Sequence, residues 1–239
     1  MQDREKIEHI FIDIRSKRND LSYRFIKRLF DIVASISALL LLTPVFLILI
    51  IAIKISSPRE NVFYVQTRLG RNETPFKMYK FRSMVSNADK MLSHLKSKNE
   101  VKGAMFKIKD DPRVTKIGHF MRKYSVDELP QLLNVLIGNM SLVGPRPPLP
   151  IEVAEYTDYA KQRLLVKPGC TGLWQATVRN SVGFDGMLRL DLIYIANRSL
   201  WLDFEIIMKT LKVFAQPNTR IKPYFYTKAF HLHKILDAT

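Results

Sequence analysis

Cysteine is all but missing from this chain: Cys170 is the single one in 239 residues. No intrachain disulfide can form, which removes the disulfide-stapled scaffolds from consideration and suits a reducing compartment. With glycines close on either side and no histidine placed to activate it, Cys170 reads as packing rather than as a nucleophile. Internal repeats and low-complexity runs are also absent. The length allows one domain with a real core and is too short for two large ones. Acidic residues are scarce, 22 against 38 basic ones, which leaves a net charge of +16. Such an excess points to a polyanionic partner: nucleic acid, anionic lipid or a phosphorylated substrate. The sequence has no basic helix of zinc-finger, homeodomain or zipper type and no RRM signature, so nucleic acid is the weakest of the three.

Charge is missing altogether from Ile32 to Ile53, a run of about 22 residues and long enough to cross a hydrocarbon core of about 30 Å as a straight helix. It is too long for a cleavable signal and has no small-residue cleavage pattern after it. Pro44 sits near its middle, where a proline removes a backbone bond and kinks a helix, and Thr43 beside it can reach back to a carbonyl one turn earlier. Both flanks are basic: Arg15, Lys17, Arg18, Arg24, Lys27 and Arg28 before, Lys54, Arg59, Arg68 and Arg71 after. Basic flanks belong on the cytoplasmic side, and a single span cannot put both there. A helix that enters, breaks at Thr43-Pro44 and returns to the same face resolves the conflict.

Beyond this segment, Val62 to Arg68 and Phe76 to Phe81 alternate like strands, with turn residues Gly70 to Pro75 between them, and predict a β-hairpin. Asn87 to Lys98 reads as a polar helix, Leu129 to Leu136 as a short apolar one and Gly138 to Pro150 as a proline-stiffened loop. Glu152 to Val166, Phe184 to Asn197 and Asp203 to Phe214 read as further helices. Trp201 and Leu202 suit a membrane interface or a buried core equally well.

The most informative run is Arg122-Lys-Tyr-Ser-Val-Asp-Glu-Leu-Pro-Gln131. Adjacent carboxylates repel, so Asp127-Glu128 gains little unless positive charge stands opposite, and ionised carboxylates amid cations suit phosphate chemistry. The bland alternative is a capping box, Ser125-x-x-Glu128, with Pro130 in the first helical turn. Either way both carboxylates meet the positive end of a helix dipole.

Three runs carry a family resemblance: Ser125-x-Asp-Glu-Leu-Pro-Gln131, Asn139-Met-Ser-Leu-Val-Gly-Pro-Arg-Pro147 and Lys167-Pro-Gly-Cys-Thr-Gly-Leu-Trp-Gln175. In this order they closely resemble the bacterial sugar transferases, the monotopic phosphoglycosyl transferases that act on polyprenyl phosphate. The resemblance runs from about Lys27 to about Phe214. It implies an α+β, mainly helical fold with a re-entrant membrane helix, a small β-hairpin and amphipathic interfacial helices. The expected division is a basic extension (1–26), the re-entrant helix pair (27–55), a cytosolic catalytic domain (56–215) and a tail (216–239). Thr43 stands where the family has serine before its proline. The large N-terminal membrane domain of some family members has no counterpart here, so a minimal version is expected.

By the same resemblance, sugar-1-phosphate passes from a UDP-sugar to undecaprenyl phosphate, with UMP released, on the cytoplasmic face of the bacterial inner membrane. Asp127 is implied as a covalent nucleophile, and Glu128 as a Mg2+ ligand or a base; Mg2+ is the implied cofactor, with either carboxylate as its ligand. Arg146, between prolines, is the expected phosphate grip, with Lys80 and Arg82 as weaker candidates. Arg179 and Asn180 are expected at the nucleotide, although Thr177-Val178 replaces the family's usual Ser-Gly or Asn-Gly. Lys27 and Arg28 would meet lipid phosphates or anchor the helix by snorkelling. Asp191, Tyr194 and Asp203 match the family too, yet core hydrogen bonds explain them as well. The sugar, the pathway and homo-oligomerisation stay open. Two alternatives remain at this stage: a non-enzymatic membrane anchor binding anionic lipid or nucleic acid, and a glycosyltransferase that moves only the sugar and releases UDP.

Overall fold

The computed structural model describes residues 21–95, 108, 110–177 and 182–215. The chain opens with two helices, α1 (Leu21–Leu41) and α2 (Thr43–Ser56), bent by 59° at the residue between them. Pro44 therefore falls in the first turn of α2 and not inside a helix. Its missing N–H costs nothing at that position. Thr43 Oγ1 donates to Leu39 O at 2.9 Å, the back-bond expected to help the turn. No single helix among the described residues is long and apolar enough to cross a membrane; only the bent pair together has the length and composition.

The hairpin forms where alternation predicts it. Strands β1 (Phe63–Leu69) and β2 (Pro75–Phe81) pair antiparallel, with Phe63 opposite Phe81 and Leu69 opposite Pro75. A two-stranded sheet has an open edge on each side, and β2's is satisfied by a side chain. Asn134, fully buried in α5 (Gln131–Ile137), accepts from Tyr79 N at 3.0 Å and donates to Lys77 O at 2.7 Å. That clasp fixes α5, and the turn before it, against β2.

Between them the chain forms α3 (Ala88–Leu95) and α4 (Lys116–Lys123), the latter capped by Thr115, whose Oγ1 accepts from Gly118 N. After α5, Gly138 takes the left-handed conformation (φ 97°) that ends a helix, and Arg28 of α1 donates to the carbonyls of Val135 and Leu136. The segment expected to be loop then contains β3 (Ser141–Val143), which pairs in parallel with β4 (Gly169–Thr171). The helix expected over Glu152 to Val166 is broken into α6 (Pro150–Ala154), α7 (Asp158–Lys161) and a 3-10 turn, Gln162–Leu165. Thr157 restarts it, its side chain accepting from Ala160 N. The chain continues through α8 (Leu173–Thr177), α9 (Phe184–Asn197) and α10 (Leu200–Ala215).

The main core gathers Val143, Leu164, Leu188, Tyr194 and Ile206 from β3, the 3-10 turn and the C-terminal helices. A second cluster packs Leu49 and Ile53 of α2 against Val62, Phe81 and Met121. Helix α2 is thus part of the domain's own core. Lys27 of α1 adds an ion pair to Asp203 at 2.7 Å, and Asp203 also accepts from Tyr194 and Tyr23. Elsewhere both helices leave large apolar side chains uncovered, among them Phe25, Leu29, Val33, Leu40, Ile48 and Ile51. On α10, Trp201, Phe204, Met208 and Leu211 are likewise exposed, at the spacing of one helix face, with Trp201 70% exposed. Leu202, by contrast, is buried.

Candidate active site

Asp127 and Glu128 lie on a single 3-10 turn, Val126–Glu128, between α4 and α5. The capping-box expectation fails at Ser125. Its backbone is left-handed (φ 54°) and its side chain makes no capping hydrogen bond. Pro130 then occupies the N-cap of α5 and not its first turn, because the carboxylates sit on their own turn.

That turn gives the two carboxylates different surroundings. Asp127 is 7% exposed. Burial and the neighbouring Glu128 charge push its carboxyl up to about 6, against the pull of Lys80 and Arg122. The Glu128 side chain is 42% exposed and receives Lys80 Nζ on Oε1 at 2.5 Å. Partial burial raises its carboxyl, but Lys80, Arg146 and Arg68 outweigh that and hold it below the usual range. Opposite shifts in a touching pair separate their roles. Glu128 stays charged and solvated, while Asp127 is a desolvated carboxylate that is ionised at neutral pH.

Cations come from three elements. Lys80 is on β2, Arg122 ends α4 with its Nε donating to Ser83 Oγ at 3.0 Å, and Arg146 follows β3. Arg146 Nη1 lies 3.6 Å from Glu152 Oε1, and Glu152 Oε2 accepts from Leu149 N, a cap of α6. Arg68 joins them from the end of β1. It is buried, and burial together with Arg146 lowers its guanidinium to about 10. In sequence Arg68 was only one of several flanking cations. Nothing in a strand's alternation signals that its last arginine turns inward.

The remaining candidates are placed differently. Arg82, grouped with Lys80 in sequence, turns to Asn61 O at 2.7 Å and stands 4.0 Å from Glu60. Lys27 and Arg28 are engaged with Asp203 and the end of α5 rather than standing clear of the protein. Asp191 pairs with Arg163 in the interior. Arg179 and Asn180 lie outside the described residues. Burial, then Glu128 and Asp31, push the Cys170 thiol up, which agrees with a packing role. Among the described residues no three histidine, cysteine or carboxylate side chains gather into a metal-holding group.

Comparison with known proteins gives a consistent picture. The family model described as bacterial sugar transferase matches residues 22–217. The chain is 43% identical, over 86% of its length and 44% of the relative's, to a protein of Salmonella typhimurium named undecaprenyl-phosphate galactose phosphotransferase. It is 47% identical, over 80% of its length and 42% of the relative's, to the galactosyl transferase CpsE of Streptococcus agalactiae. The exopolysaccharide production protein ExoY of Sinorhizobium fredii is 42% identical over 77% of this chain and 83% of its own length. The chain thus spans less than half of the first two relatives.

Proposed function

Because this chain belongs to the bacterial sugar transferase family, we propose that it transfers sugar-1-phosphate from a UDP-sugar to undecaprenyl phosphate. The products are the polyprenyl-diphosphate sugar and UMP. The observation that carries the reading is the buried, ionisable Asp127 set beside Lys80 and Arg122 and next to a paired, solvated Glu128.

In this mechanism an Asp127 oxygen attacks the phosphorus that bears the sugar. A carboxylate–phosphorus bond forms, the diphosphate bridge breaks, and UMP leaves with the bridging oxygen. An oxygen of the lipid phosphate then attacks the same phosphorus and the Asp127 carboxylate is regenerated. Two half-reactions let one site meet a soluble and a lipid substrate in turn. Arg146 grips the diphosphate with its planar fork, and Lys80, released from Glu128 by the incoming anion, adds a second positive charge. Arg179 and Asn180 are proposed at the nucleotide.

Mg2+ fits the donor set: Asp127 and Glu128 offer the one or two carboxylates such an ion takes, substrate phosphates supplying the rest, and it would neutralise charge on the diphosphate. The exposed apolar side chains of α1, α2 and the Trp201 face of α10 support a protein lying against the cytoplasmic face of the inner membrane, with the bent pair dipping in and returning. There the re-entrant pair holds the site at the level of lipid phosphates.

The test is the nucleotide released when purified protein receives Mg2+, a UDP-sugar and undecaprenyl phosphate. Galactose in the relatives' names makes UDP-galactose the first donor to try. UMP and a diphosphate-linked lipid are expected. UDP would instead mean sugar-only transfer, and no turnover with any UDP-sugar would favour a non-enzymatic module.

A further inference from the structure

Four consecutive backbone carbonyls in the loop that carries Arg146 are each held by a donor from elsewhere in the fold. Pro145 O accepts from Gly169 N at 2.9 Å, and Pro148 O from Leu69 N at 3.0 Å. Between them, Arg163 Nη2 donates to Arg146 O at 3.2 Å and Arg68 Nη1 to Pro147 O at 3.0 Å. Pro145, Pro147 and Pro148 have no N–H, so carbonyls are nearly the whole backbone by which this loop can be held. The strand contacts around it are as close. A Cβ on Gly169 would meet Gly144 N at 2.1 Å, and one on Gly144 would meet Lys167 O at 2.6 Å.

The donor to the Arg146 carbonyl is itself set in the interior. Arg163 and Asp191 both have side chains 1% exposed, and Arg163 Nη2 bonds Asp191 Oδ2. Its Nη1 donates to Tyr156 Oη at 2.9 Å. Buried ion pairs are poor sources of stability, and well-packed apolar residues of similar volume commonly do as well or better. Such a pair in the core therefore calls for a reason beyond holding the fold together. Its reach supplies one: Asp191 and Tyr156 fix the guanidinium plane, and the same nitrogen that bonds Asp191 meets the carbonyl of Arg146.

We propose that Arg163 and Asp191 are positioning residues for Arg146, a buried relay from α9 that sets the backbone from which the phosphate-gripping guanidinium projects. This rests on the reading that Arg146 engages the substrate diphosphate. Neither residue touches substrate; both act through the Arg146 carbonyl. A misplacement of about 1 Å in a group that grips the reacting phosphate is enough to slow such a step by about a hundredfold.

The test is a cycle of four full-length proteins: wild type, Arg146→Ala, the apolar exchange Arg163→Met with Asp191→Leu, and all three changes together. Each is read by its melting temperature and by single-turnover release of UMP. The apolar exchange should keep the melting temperature within a few degrees yet slow UMP release at least tenfold. In the Arg146→Ala background the same exchange should slow it by less than twofold, because the residue it positions has gone. Equal slowing in both backgrounds, or full activity after the exchange, overturns the proposal. If the exchanged protein melts early, Arg163→Lys decides. It keeps a charge for Asp191 but loses the two-nitrogen plane that Asp191 and Tyr156 hold in place beneath the Arg146 carbonyl, so it should slow release in the wild-type background only, and unchanged release would overturn the proposal. Absence of UMP release from wild type would count against the transfer reading. Amide exchange at Arg146 and Leu149 then judges the positioning on its own: faster exchange after the apolar replacement supports it, and unchanged exchange refutes it.

Discussion

Lys80 Nζ sits 2.5 Å from Glu128 Oε1, so the cation of β2 neutralises the more exposed of two adjacent carboxylates and leaves the buried one, Asp127, without a direct ion-pair partner of its own on that strand. The arrangement keeps Asp127 close to positive charge without tying its carboxylate into the Lys80 ion pair. It also makes Asp127 costly to the fold, and the first two predictions follow from that cost.

The Asp127 carboxyl is raised in the folded protein to about 6 from an ordinary 3.8. A raised carboxyl favours the folded state while protonated, so its contribution is present below pH 4 and is lost as pH rises through 6. Asp127→Asn should therefore be more stable than wild type at pH 7, by on the order of 2 kcal/mol, while losing all transfer. Melting curves across pH 4 to 8 check this: the gap between the two proteins should open with rising pH. A gap that narrows would show that the carboxylate is stabilised by its surroundings.

The same value sets the acid limb of activity. Only ionised Asp127 can attack, so kcat/KM for the UDP-sugar should fall with decreasing pH around 6. Lys80→Met removes a cation that lowers Asp127, so the limb should move to higher pH, on top of a loss in rate of about a hundredfold or more. An unmoved limb would assign it to another group.

Glu128→Gln separates chemistry from structure. The side chain is 42% exposed and its ion pair with Lys80 is solvated, so stability should change by less than about 1 kcal/mol. Ser125 makes no capping bond here, so no helix start depends on Glu128. Activity should nonetheless fall by several orders of magnitude. Near-normal turnover would remove Glu128 from the site.

Topology has its own check. With Ser22→Cys or Asn61→Cys in a Cys170→Ser background, the proposed re-entrant path of the pair bent by 59° predicts that both positions are shielded from an impermeant thiol reagent in intact cells. Labelling from outside at Ser22 alone would establish a span. Pro44→Ala should shift the pair toward spanning, because it removes the ring that bars a continuous helix through the bend.

Much of this was legible in the sequence where a local rule acts alone. Thr43-Pro44 marks the bend, the turn residues from Gly70 to Pro75 mark the hairpin, and Phe184 to Asn197 forms the helix its pattern predicts. Asp127, Glu128 and Arg146 stood out because their residue types and runs are distinctive, whereas Lys80 was only a weaker candidate alongside Arg82. What stayed hidden depends on distant parts of the chain meeting. Strands β3 and β4 are three residues each, too short for alternation to register, and pair across 28 positions. Arg68, Glu152 and Arg163 carry no signal in sequence that the fold buries them, and Asp191 gives no sign that its partner is Arg163. The capping box at Ser125 shows the reverse failure: its spacing fits, but the backbone there is left-handed and the side chain makes no capping bond.

The covalent role of Asp127 is the central claim, and one measurement reaches it directly. Purified enzyme with Mg2+ and a UDP-sugar, but no lipid phosphate, should release UMP up to one equivalent per active site and then stop. The peptide containing Asp127 should gain the mass of the sugar phosphate and lose it when undecaprenyl phosphate is added, and Asp127→Asn should show neither change. No UMP without the lipid, and no added mass on that peptide, would contradict the account and leave direct attack by the lipid phosphate in its place.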